Sequence, residues 1–305
     1  MTRYQGIVLI SIFVTLLVIN GCIFQDSELV DITAPEIEVS YPEAGTHFVA
    51  GGFVQFEGTF RDDLELGSYS IDIHDNLDGH GHGRIASPSD DPSLIWWSSK
   101  NNFTIPEGYI IYNAQHNDDI EISANALAGP YHFIVQAVDN AGNATSFQDG
   151  STVELEVFIT NDSQPVVNIT NLQNDELEIE QGVLFMVEGD ISDPTIGDYA
   201  GMHFLEVILG ETHEEEGQHA HLRKDQDGHE DLIDEYFGDT DLESFMIDGV
   251  IQLNQVFEFI NFTLSQEQLD ELIAENIDHL QLTLKVKDEQ GNLTISSTIV
   301  HIHTS

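Results

Sequence analysis

Short runs in which apolar and polar residues alternate recur along the chain, and the whole series is passed through twice. Successive side chains of a strand point to opposite faces, so each run has one face to bury and one to leave wet. The first series is 35–40, with Ile37 and Val39 on one face, then 53–58, 69–74, 119–122, 131–137 and 153–157. The second is 165–169, 183–189, 203–209, 256–259, 280–286 and 295–302. Before its last strand each series carries Asp-x-x-Gly-Asn, at 139–143 and 288–292, which reads as a turn. Helical periodicity appears only at 265–273, with Ser265 as N-cap and Gln268 at the capping-box position. The pattern predicts an all-β chain: two tandem immunoglobulin-like β-sandwich domains, 33–160 and 163–303, joined by a polar linker at 161–164. No Cys–Trp–Cys signature accompanies it.

Histidines are placed at equal spacing in both halves. His74, His80 and His82 stand six and then two residues apart, and so do His213, His219 and His221, although the residues between them differ. Strands C and F of an immunoglobulin-like sheet are antiparallel neighbours, so the end of C lies beside the start of F. In the first half His74 ends strand C and His132 opens strand F. His132 falls on the wet face because Tyr131, Phe133, Val135 and Ala137 share the other. One end of that domain can thus gather His74, His80, His82 and His132, with Asp75, Asp78 and His116 as outer partners. The second half offers His213, His219, His221 and His279, with His229, His301 and His303 as additional ligands. His279 stands two residues earlier than His132 relative to the Gly-Asn turn, and a shift of two keeps the face. His213 shares the parity of apolar Leu205, Val207 and Leu209, which only a bulge near Gly210 would correct.

Four neutral imidazoles suit zinc, copper or nickel. A closed four-histidine shell leaves no position for an activated water, which favours binding over hydrolysis. Asp225, Asp227 and Asp231 around Gly228 have the look of a calcium loop without the complete twelve-position pattern. A His-x-His pair in a polar loop also reads as a solvated surface pair, and His47 and His203 read as structural.

The charge agrees with cationic ligands. Against 55 Asp+Glu the chain has 8 Lys+Arg, a formal net charge of −47, which excludes phosphate-backbone partners and concentrates positive ions near the surface. The single cysteine, Cys22, rules out a disulfide framework and a thiolate cluster. It follows an N-terminal Arg3, an apolar run at 6–19 and Asn20-Gly21, which predicts a signal peptide at 1–21. Ile19-Asn20-Gly21-Cys22 resembles a bacterial lipobox, implying lipidation of Cys22 and a membrane anchor through that lipid. Residues 22–32 then form an acidic tether, similar to the surface-export signals of Bacteroidota lipoproteins.

These features together resemble an uncharacterised Bacteroidota lipoprotein family with tandem His-rich immunoglobulin-like domains, whose domain is of unknown function. The resemblance rests on Ile73-His74-Asp75-Asn76-Leu77-Asp78-Gly79-His80-Gly81-His82, on Gly129-Pro130-Tyr131-His132-Phe133 and on Asp139-Asn140-Ala141-Gly142-Asn143. It covers most of 33–160 and 163–303 loosely, where Asp278-His279-Leu280 stands in place of Tyr-His-Phe. It implies an outer-membrane location, facing the periplasm or the cell surface, and metal binding through the histidines. The expected function is metal capture or delivery, with an outer-membrane uptake receptor as a candidate partner. The alternative is an adhesion or glycan-binding module with a structural metal, in which Trp96, Trp97, Tyr109 and Tyr112 stack on a sugar, although Trp96 or Trp97 reads first as a cap on the core. No nucleophile elbow, phosphate loop or His-Glu-x-x-His is present, so an enzyme is not expected.

Overall fold

The structure, a computed structural model, describes residues 31–76, 93–195, 200–213, 221–222, 232–238, 245–260, 262–275 and 277–303. The chain divides into 1–33 and a compact unit over 34–305. The signal-peptide and lipidation readings, Cys22 included, lie outside the described residues.

Strands of the first half are β1 (Glu36–Tyr41), β2 (His47–Val49), β3 (Phe53–Arg61), β4 (Leu66–Asp75), β5 (Ser99–Thr104), β6 (Ile111–Glu121), β7 (Gly129–Asp139) and β8 (Val153–Thr160). They form a three-stranded sheet, β1-β3-β6, and a five-stranded sheet, β2-β8-β7-β4-β5. Alternation dictates what lies between the sheets. Tyr69, Ile71 and Ile73 from β4 and Tyr131, Phe133 and Val135 from β7 are buried with Phe56 and Phe60 from β3. Ser70, Asp72 and His74 take the opposite face of β4.

Two differences from the sequence reading matter. The 99–104 strand was not anticipated, and the strand expected at 119–122 begins at Ile111. The inward positions of β6 are Tyr112, Ala114, His116 and Ile120, a mixture too polar to show as alternation.

The second half contains β9 (Val166–Ile169), β10 (Leu177–Glu180), β11 (Gly189–Ser192), β12 (Met202–His213), β13 (His221–Leu222), β14 (Leu232–Gly238), β15 (Met246–Ile247), β16 (Val250–Gln252), β17 (His279–Asp288) and β18 (Leu293–His303). One sheet runs β10-β18-β17-β12-β13, with β14 also paired to β12, and faces the sheet β15-β16-β11-β9. Their core holds Leu205, Val207, Leu209, Leu282, Leu284 and Phe185.

Helix α1 (Leu253–Ile260) replaces the strand expected at 256–259. Leu253, Val256 and Phe257 are all buried, a helical i, i+3, i+4 spacing that the short window hid. Helix α2 (Gln266–Ala274) starts on the Ser265–Gln268 capping box, as expected. The strand expected at 183–189 is mostly irregular chain that buries Phe185 and Val187, with one bridge from Leu184 to Thr263.

The two Asp-x-x-Gly-Asn turns are built alike. Asp139 accepts the backbone N–H groups of Gly142 and Asn143 and the Asn143 side-chain amide. Asp288 accepts the Asn292 N–H at 2.8 Å and its amide at 2.9 Å. In the second turn Asn292 is also the joint between the halves. Its Oδ1 accepts the Ala128 N–H at 2.9 Å and the Asn161 amide at 2.8 Å. Leu127 and Leu293 pack there, with Leu94, Trp96 and Ile295 against them. Burial, the largest influence, pushes the Asp288 carboxyl up to about 7, with the charge of Asp193 adding to it.

Candidate metal centres

In the first sandwich the site grows from the wet face of the five-stranded sheet. Register places His74 of β4 opposite His132 of β7, and His132 opposite Glu156 of β8. The next row is Asp72, Ile134 and Glu154. The two imidazole centroids are 5.3 Å apart. His132 Nδ1 meets Glu154 Oε1 at 2.7 Å, which makes Nδ1 the donor and puts the lone pair on Nε2. His74 Nδ1 is 3.3 Å from Asp72 Oδ1, whose other oxygen takes Lys100 Nζ at 2.9 Å. Asn76 donates to Glu156 at 3.0 Å. Register thus lines two histidines and three carboxylates along three adjacent strands.

Other residues singled out in this half lie elsewhere. Asp78, His80 and His82 fall outside the described residues. Asp75 has the inward parity of Ile71 and Ile73 and sits opposite Tyr131, on the other face from His74. Burial first, and the Asp75 charge second, push the Tyr131 phenol up. His116 is a correction too: it belongs to the opposing sheet and is buried in the core. Its Nδ1 donates to Asp119, so its Nε2 accepts the Tyr69 hydroxyl at 2.6 Å, and Phe103 lies 4.0 Å from its ring. The tryptophans take the core-capping role in place of a sugar platform. Trp97 is buried against Tyr131, and Trp96 packs at the joint between the halves. Tyr109 and Tyr112 contact each other edge to face, with Tyr109 bonded to Leu66 at the other end of β4.

In the second sandwich His279 of β17 pairs with His301 of β18. His279 Nδ1 donates to Asp278 Oδ1 at 2.7 Å, so its Nε2 accepts from His301 Nδ1, 3.2 Å away. That hydrogen bond is the first cause holding the Asp278 carboxyl below its ordinary range. Glu176, just before β10, completes the group: ligand atoms of Glu176, His279 and His301 all lie within 4.8 Å of one another. His303 follows on the same face of β18, its ring perpendicular to that of His301 at 5.2 Å, with Nε2 3.3 Å from Glu178 Oε1.

His213 and His221 face each other in backbone register between β12 and β13. The bulge near Gly210 that would correct the parity of His213 is not found in β12. Its ladder with β17 is unbroken from Phe204 to Glu211, and the irregularity by Gly210 is an extra residue in β14. His219, Asp225, Asp227, His229 and Asp231 lie outside the described residues.

Sequence reasoning missed Asp72, Glu154, Glu156, Glu176 and Glu178. The parity of Asp72 with His74 was available in the sequence. The Glu176 position depends on β10 lying parallel to β18, with Glu178 beside His301, which no periodicity reveals.

The two facing-sheet units define an all-β, immunoglobulin-like tandem sandwich. Residues 21–153 match the family described as a domain of unknown function (DUF4625), a span that covers the first sandwich up to the start of β8. No curated protein matches the chain. Among solved structures it is similar to fibronectin(III)-like modules of Clostridium thermocellum CbhA, with 12% identity over 87% of this chain and 93% of that one, at a TM-score of 0.23. The sialic acid binding region of a Streptococcus sanguinis adhesin gives 10% identity, 90% and 78% coverage and a TM-score of 0.26. A chimeric titin tandem gives 13%, 88% and 100%, and 0.28. Likeness at this level decides nothing here; the architecture rests on the chain's own sheets.

Proposed function

We propose that this protein binds divalent transition metal ions, zinc foremost and copper or nickel by the same ligands, on the outer face of each sandwich. The observation that carries the reading is the Glu176–His279–His301 group. Metal–nitrogen bonds of about 2.0–2.1 Å in a tetrahedral site set ligand atoms about 3.3 Å apart. The 3.2 Å between His279 Nε2 and His301 Nδ1 matches that edge, so an ion can replace the shared proton with little movement. Asp278 orients His279 as a carboxylate behind a metal-bound imidazole does. In the first sandwich His74 and His132 supply the imidazoles, with Asp72, Glu154 and Glu156 alongside.

The described ligands are two histidines with carboxylates; His80, His82 and His219, which the four-histidine shell needs, lie outside the described residues. Among the described residues the group supplies three ligands, and a tetrahedral ion would take a fourth from a further side chain, water or a transfer partner. A net charge of −47 keeps cations concentrated around the protein. On this reading the chain is a non-enzymatic capture or delivery protein of the bacterial cell envelope, anchored to the outer membrane by a lipid on Cys22 and handing its ion to an uptake receptor.

Calorimetric titration of the full chain with zinc tests it. Binding in the micromolar range or tighter is expected, with His279→Ala plus His301→Ala removing one class of sites. Binding weaker than about millimolar, or unchanged in that variant and in His74→Ala plus His132→Ala, overturns the proposal.

A further inference from the structure

The geometry points to a second cation seat in the second sandwich, formed by His303 and Glu178 beside the seat of Glu176, His279 and His301. This rests on the reading just given. The contacts that His279 and His303 make with carboxylates differ in length. His279 and Asp278 approach to 2.7 Å, as a charge-assisted hydrogen bond should. His303 Nε2 and Glu178 Oε1 stop at 3.3 Å, long for such a bond and equal to the tetrahedral edge of about 3.3 Å set by zinc–nitrogen and zinc–oxygen bonds. Glu178 is not loosely placed, because its Oε2 takes the Gln173 amide at 3.2 Å and Oε1 is thereby turned toward His303.

Topology explains why the seats adjoin. Alternation puts His301 and His303 on one face of β18 and Glu176 and Glu178 on one face of the β10 segment. Parallel pairing sets Glu178 beside His301 and Glu180 beside His303. Imidazole and carboxylate groups therefore run in two facing files. The His301 ring stands between its neighbours, 4.9 Å from that of His279 and 5.2 Å from that of His303. Two adjacent dications repel, and Glu176, Glu178, Glu180 and Asp278 along the files offset that repulsion. The class of ligand is a pair of divalent transition metal ions.

Copper(II) titration of the full chain carrying His74→Ala and His132→Ala, followed by electron paramagnetic resonance, tests the inference. Two equivalents bound at the second sandwich and a half-field signal from coupled ions are expected. Glu178→Gln or His303→Ala should each remove one equivalent and abolish the half-field signal, leaving the spectrum of a single copper. If both variants keep the parent stoichiometry, and the parent shows no half-field signal while His279→Ala still loses an ion, the second seat is wrong and metal binding stands. If His279→Ala plus His301→Ala loses no ion, the second-sandwich site fails and the second seat falls with it. Glu178→Gln is isosteric at a half-exposed position, so a folding failure would not imitate a selective loss.

Discussion

The two sandwiches put imidazoles on the same face of equivalent sheets, yet they do not use the same places. Both ladders between strands C and F carry an irregularity, after which Ser68 pairs with Val138 and Phe204 with Lys287. Six residues on from each pair lie His74 and His132 in the first half, but Gly210 and Gln281 in the second. The second histidine group is two residues further along β17 and one strand across, on β17 and β18 in place of β4 and β7. Its carboxylate comes from β10, whereas the first takes Glu154 and Glu156 from β8. Equal spacing along a chain is therefore a poor guide to equal position in space. What recurs is a wet face at the end where strand F begins, and each half fills it with different strands.

That contrast can be broken experimentally. The largest effect should come from His279→Ala plus His301→Ala, which removes two of three ligands. Zinc affinity of the second sandwich should fall about a thousandfold or more while the first retains its own, as read by calorimetry. Loss of both classes at once would mean that the sites are one.

The paired turns give the next test. Burial raises Asp288 from 3.8 to about 7, so the folded protein holds this proton more tightly than the unfolded chain. Its contribution to stability is complete below the unfolded value and disappears as pH rises through about 7. Asp288→Asn should flatten the pH dependence of urea unfolding between about pH 4 and 7 by up to about 4 kcal/mol.

Smaller effects sharpen the assignment of His116 to the core. Tyr69→Phe deprives His116 Nε2 of its partner at a buried position and should cost about 1–3 kcal/mol in unfolding experiments. It should leave zinc affinity untouched, since His116 is not part of either metal group. Asp278→Asn and Glu154→Gln each loosen one orienting bond. Each should weaken only its own sandwich's zinc binding, by roughly tenfold to a hundredfold, in parallel titrations.

Much of this was legible in the residues. Tyr131 and Phe133 alternating around His132 fixed its face, and antiparallel C and F strands then brought it to His74. The capping box at Ser265 and Gln268 likewise announced its helix. His116 was misplaced because an imidazole at an inward position is indistinguishable in sequence from one on a wet face until its partners, Tyr69 and Asp119, are known. Glu176 was invisible because its strand follows a turn through Asn174 and Asp175 at positive φ, 54° and 70°, and then pairs in parallel with the far end of the chain. Such long-range pairing leaves no local signal.

The shared amide of Asn292 has one more implication. It sits at the tip of the β17–β18 hairpin and is stitched to Ala128, four residues before His132, whereas His279 and His301 occupy the hairpin's opposite end. Strands advance about 3.3 Å per residue, so roughly 30 Å of sheet separates that stitch from the second group. One cation berth thus lies close to the joint between the halves and the other at the far end of the β17–β18 hairpin from it.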